Sequence, residues 1–117
     1  MRFIHSLGFA ISGIKQFILR EANFRIQLII ALFVTVMGIY FQFSKIEWIV
    51  ILICVALVLC LEMMNSAIEK LCDLVHPGLH ATIKLIKDIA AGAVLIAAFI
   101  SFICGLIIFF PHILKLF

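Results

Sequence analysis

Apolar residues dominate three long blocks of the chain, 24–43, 47–75 and 88–110, separated by short polar connections. A helix of about 20 residues, rising about 1.5 Å per residue, covers a hydrocarbon core of roughly 30 Å, so each block predicts a transmembrane helix. Ser44-Lys45-Ile46 reads as the first turn, and Pro77 and Gly78 in His76-Pro77-Gly78 end the second helix. Upstream, Phe3, Leu7, Ile11, Ile14 and Ile18 share one helical face, while His5, Ser12, Lys15, Gln16 and Arg20 lie elsewhere. This pattern predicts an amphipathic helix lying in the membrane interface over residues 1–22. Lys15 and Arg20 interrupt any signal-peptide core, and no small-residue cleavage site follows them. The reading is a single all-α integral membrane domain over 1–117.

Composition sharpens that reading. Of 117 residues, 67% are hydrophobic and 13% charged, and the mean hydropathy is +1.36. Soluble domains are roughly half apolar and a quarter charged, so a water-exposed globule is excluded. Cys54, Cys60, Cys72 and Cys104 lie in or beside apolar runs with no C-x-x-C pair, and read as apolar filler rather than a disulfide framework. The net charge of +3 is modest, and no basic run interleaved with aromatics points to nucleic acid.

The placement of charge sets the orientation. Arg2, Lys15, Arg20, Arg25, Lys70, Lys84 and Lys87 fall on one side, Lys45 and Lys115 on the other. The positive-inside rule therefore predicts a cytoplasmic N-terminal helix, a cytoplasmic second connection and an outward C-terminus.

The second apolar block breaks its own pattern at Glu62-Met63-Met64-Asn65-Ser66-Ala67-Ile68-Glu69-Lys70-Leu71-Cys72-Asp73. On a helix, Glu69 lies about 20° from Glu62, Asp73 about 20° to the other side, Ser66 about 40° away and Asn65 about 60° away. These five polar groups form one stripe. Counted from Glu47, Glu62 is roughly 22 Å along the axis, Glu69 roughly 33 Å and Asp73 roughly 39 Å. Glu62 is thus expected inside the cytoplasmic leaflet, Glu69 at headgroup level and Asp73 in water. A carboxylate at acyl depth costs about 2.5–3.5 kcal/mol, which makes Glu62 a candidate for function. Asp73 and Lys70 read equally as a solvated helix end.

Glu21, where the interfacial helix meets the first span, is expected at the depth of Glu69, and two such carboxylates suit magnesium. The third span opens with Lys87-Asp88 at the same level, and Lys87, Lys84, His80 and Arg2 could meet an anion. Carboxylates for a metal, cations for phosphate and a deeper base within reach of a lipid hydroxyl are the parts of phosphoryl transfer. A small proton-coupled transporter could use Glu62 as its proton site instead. Residues 28–40 and 89–110 offer it little polarity for a path. A non-enzymatic assembly protein is a third option, its acids only fixing helix pairing.

Other signals carry less. Gly8 to Lys15 imitates a P-loop, but no Ser or Thr follows the lysine and no strand precedes it. His76 and His80 are four apart, yet Pro77 and Gly78 are expected to keep them off one helix face, against a zinc pair. His5 and His112 are expected at the interface. Gly92 with Ala90, Ala91 and Ala93 permits close helix contact.

The run from Glu62 to Glu69, then Asp73, Lys87-Asp88 and Ala93-Val94-Leu95-Ile96, resembles the signature of the prokaryotic diacylglycerol kinase family, which includes undecaprenol kinases. Glu21-Ala22-Asn23-Phe24-Arg25 fits it too, so the resemblance covers nearly the whole chain. It implies a homotrimeric lipid kinase of the bacterial cytoplasmic membrane, using ATP and Mg2+, with active sites between subunits. It also implies Glu62 as catalytic base, Asn65 as a polar member of the site, and Glu21 and Glu69 as magnesium ligands. Asp73, His80, Lys87, Asp88 and Arg2 would contact or orient the nucleotide. Phe9 stands where better-known members have a nucleotide-contacting tyrosine, and Gln27 replaces a glutamate seen in some. The wording around Glu21 looks closer to the undecaprenol branch, and diacylglycerol stays as the other acceptor.

Overall fold

The computed structural model describes residues 2–78 and 80–117, and these form four helices: α1 (Arg2–Arg20), α2 (Ala22–Tyr40), α3 (Lys45–Val75) and α4 (Ala81–Leu114). By length and composition α2, α3 and α4 are each able to cross a membrane. At about 1.5 Å per residue, the 31 residues of α3 and 34 of α4 exceed the roughly 30 Å of hydrocarbon by several turns. The surplus carries the charged ends. Large apolar side chains face outward along all three helices, among them Phe33 at 64%, Ile53 at 61% and Phe99 at 62% exposure. A soluble protein could not sustain such a surface.

The described chain divides into two compact units, Met1–Thr35 and Val36–Phe117. In the first, α1 passes into α2 at Glu21 almost without losing backbone pairing, because Glu21 N–H donates to Phe17 O at 3.0 Å and Arg25 N–H to Glu21 O at 3.3 Å. Carbonyls at the end of a helix lack partners. Arg25 supplies one, its Nη1 donating to Leu19 O at 2.8 Å and Ile18 O at 3.2 Å. The buried Phe24 ring packs edge-on against Phe17 at 4.5 Å.

The second unit is built on α3 packed antiparallel against α4. The end of α2 joins it through a turn whose bonds, Phe43 N–H to Gly38 O and Gln42 N–H to Ile39 O, are those of a Schellman cap. Gln42 takes the left-handed position, at φ 56°, where glycine is usual. Gly38 is required by contact: a Cβ there would lie 2.7 Å from the Trp48 ring and 2.8 Å from Phe43. The expected turn at 44–46 shifts back, because Ser44 caps α3 and makes Lys45 and Ile46 helical. Ser44 Oγ accepts from Glu47 N–H at 3.2 Å while Glu47 Oε1 accepts from Ser44 N–H at 2.9 Å, a capping box.

At the same end, His112, expected at the interface, has partners from two other segments of the chain. It stacks on Phe41, lies tilted against Phe43 and donates to Glu47 Oε2 at 2.9 Å, which leaves its ring half-buried. Pro111 sits within the last turns of α4, which continues to Leu114. At the opposite end, α3 stops at His76, and α4 begins at Ala81, seven residues before the expected third span, because His80 caps it.

Candidate active site

The stripe on α3 is graded in exposure. Glu62 and Asn65 are half-buried, Ser66 is buried at 8% exposure, and Glu69 and Asp73 are exposed. Ser66 Oγ accepts from Lys70 Nζ at 2.8 Å. Asn65 Oδ1 is buried with no hydrogen-bond partner among the described residues, and so is Gln27 Oε1 in the first unit. Orphaned amide oxygens of this kind are uncommon in folded proteins and mark places where a donor from elsewhere fits.

The polar end of the second unit gathers around two ion pairs. Lys87 Nζ on α4 donates to Asp73 Oδ1 on α3 at 2.5 Å, and Lys84 donates to Asp88 Oδ2 at 2.6 Å one turn along α4. The structure thus brings Asp73, Lys87 and Asp88 to one end of the helix pair. His80 reaches the same end, but its Nδ1 accepts from Thr82 N–H at 3.1 Å and caps α4. That bond leaves the Nε2 edge of a neutral His80 as a donor. His76 Nδ1 donates to Gly78 O at 3.3 Å, and the two rings lie 5.1 Å apart although Pro77 and Gly78 end the helix between them. The break separates their backbones and not their rings. Among the described residues, no group of three or more His, Cys, Asp and Glu is placed to hold a metal.

Arg2, Phe9 and Glu21 belong to the first unit. Arg2 is exposed in the first turn of α1, Phe9 is exposed at 77%, and Glu21 is half-buried at the α1–α2 junction. Sequence reasoning missed the cap by His80, the carbonyl contacts of Arg25 and the Ser66–Lys70 bond. The i, i+4 spacing of Ser66 and Lys70 was the available signal for the last.

The profile of the prokaryotic diacylglycerol kinase family matches residues 8–109. An undecaprenol kinase of Bacillus subtilis is 39% identical over 110 residues, 94% of this chain and 89% of the relative. A diacylglycerol kinase of Synechocystis is 33% identical over 112 residues, 95% of this chain and 64% of the relative. A diacylglycerol kinase of Escherichia coli K12 is 29% identical over 111 residues, 95% of this chain and 91% of the relative. The fold and these likenesses together define an all-helical membrane enzyme that acts as a lipid kinase. The chain belongs to the prokaryotic diacylglycerol kinase family. Membership implies a lipid substrate and ATP as co-substrate.

Proposed function

We propose that this protein is an ATP- and magnesium-dependent kinase of the bacterial cytoplasmic membrane that phosphorylates the hydroxyl of a membrane lipid, undecaprenol or diacylglycerol. The observation that carries the reading is the graded stripe on α3, from half-buried Glu62 and Asn65 to exposed Glu69 and Asp73. A base at acyl depth suits a lipid alcohol. Exposed acids and cations one or two turns further along suit a nucleotide arriving from water. The 39% identity to an undecaprenol kinase favours the isoprenoid alcohol as acceptor.

In this reading α1 lies on the cytoplasmic surface, the α3–α4 connection is cytoplasmic, and three chains assemble with shared sites. Glu62 accepts the lipid hydroxyl proton as its oxygen attacks the γ-phosphorus. The bond from that phosphorus to the bridging oxygen breaks, and ADP leaves with the electron pair. Asn65 orients the hydroxyl, its side-chain amide nitrogen donating to the hydroxyl oxygen. Lys87, held by Asp73, faces the phosphate chain, while His80, Asp88 and Arg2 orient the nucleotide. Magnesium is taken by one or two carboxylates plus phosphate oxygens and waters, a donor set that an exposed acid such as Glu69 fits. Glu69 and Glu21 would hold it, and bound there it supplies positive charge against the phosphate oxygens.

The test is transfer of labelled γ-phosphate from ATP to a panel of lipid alcohols by the purified protein in mixed micelles. The expected result is labelled undecaprenyl phosphate, magnesium-dependent and exceeding labelled phosphatidic acid. Labelled product from neither alcohol would overturn the reading.

A further inference from the structure

One charged residue beside the α3 stripe has no part in the scheme above. Lys70 is the sole cation between Glu62 and Val75, in a segment that carries Glu62, Glu69 and Asp73. A lysine at a solvated helix end extends into water, and one near a membrane boundary snorkels toward it. Lys70 does the reverse: its ammonium turns back one helical turn, away from exposed Asp73, and lies 2.8 Å from the oxygen of buried Ser66. Helix geometry favours that direction, since side chains lean toward the helix N-terminus. With the N-terminus of α3 outside, as proposed above, this direction leads from the headgroups toward the lipid. Glu62 is four residues before Ser66, on the same side of the helix. The amine is therefore carried inward from Glu69, toward the level of the proposed base.

A transferring phosphoryl group must pass that level. It brings negative charge beside three carboxylates, so fixed positive charge there lowers the barrier. We propose that Lys70 is a further catalytic residue of this enzyme, its ammonium contacting an oxygen of the phosphoryl group as it passes from nucleotide to lipid hydroxyl. Ser66 is a positioning residue that holds the amine at that depth. Lys70 makes and breaks no covalent bond and keeps its proton throughout. The inference rests on the lipid kinase reading and adds to it the group that meets the transferred phosphate.

The experiment compares wild type with Lys70→Met, Lys70→Arg and Ser66→Ala in mixed micelles, measuring kcat, KM for ATP and for lipid, and detergent melting temperature. Lys70→Met is expected to lose about 10²-fold in kcat, the scale of one oxyanion contact, with lipid KM and melting temperature unchanged. Lys70→Arg should recover most of the loss, since it keeps the charge, and Ser66→Ala should fall between. Wild-type kcat in Lys70→Met overturns the proposal. So does a loss that Lys70→Arg fails to recover while remaining folded, or one that follows melting temperature in all three variants. Failure of the underlying reading is separately visible, because the wild type itself would then label no lipid.

Discussion

Lys87 Nζ donates to Asp73 Oδ1 at 2.5 Å, tying the last turn of α3 to the second turn of α4. Both partners remain accessible, at 35% and 64% exposure, and an accessible pair adds little to stability. In the proposed function, it holds a cation and an acid at fixed spacing where a nucleotide would arrive. Asp73→Asn is expected to raise KM for ATP by tenfold or more, with little change in melting temperature. Unaltered nucleotide kinetics in that variant would assign the pair to helix pairing alone.

Asn65 offers a sharper separation of stability from function. Its buried Oδ1 is unpartnered among the described residues, so the carboxamide burdens the fold while apolar neighbours would not. Asn65→Leu is expected to keep or raise the melting temperature and to lose most of kcat. A variant that is both fully active and more stable would remove Asn65 from the site.

At the other end of the helix pair, the Glu47–His112 bond is set among Phe41, Phe43 and Phe109, with the two side chains 25% and 16% exposed. Removing one partner from a hydrogen bond this sheltered costs about 1–3 kcal/mol. His112→Ala should lower stability by that amount in a denaturant titration in micelles, with KM and kcat per folded enzyme intact. A loss of turnover in the folded fraction would mean that this end communicates with the site.

The cap of α2 makes two opposite predictions. Gly38→Ala forces a methyl against Trp48 and Phe43 and should destabilise by about 1–3 kcal/mol. Gln42→Gly relieves a left-handed residue and should stabilise by up to about 1 kcal/mol. Melting temperatures of the two variants should move in opposite directions.

Much of this was legible in the chain because the bilayer imposes simple rules on it. Long apolar blocks located all three long helices, and acids at helical spacing within one of them located the stripe. The capping box was legible too, as Ser44 followed three places later by Glu47, yet Ser44-Lys45-Ile46 reads as a turn until the cap is recognised. His80 was missed as a cap because histidine is not among the usual N-cap residues, and its ring replaces the Ser, Asp or Asn oxygen. The packing of His112 depends on Phe41 and Phe43 meeting α4, a contact between segments about 70 residues apart in the chain that no local pattern announces.

The central claim is that Glu62 takes the proton of the lipid hydroxyl. Glu62→Gln preserves shape and removes the base, so steady-state turnover and nucleotide binding measured on the same purified variant test it directly. The account predicts turnover reduced by at least about 10²-fold, with nucleotide binding and melting temperature at wild-type values. Wild-type turnover in Glu62→Gln would contradict it.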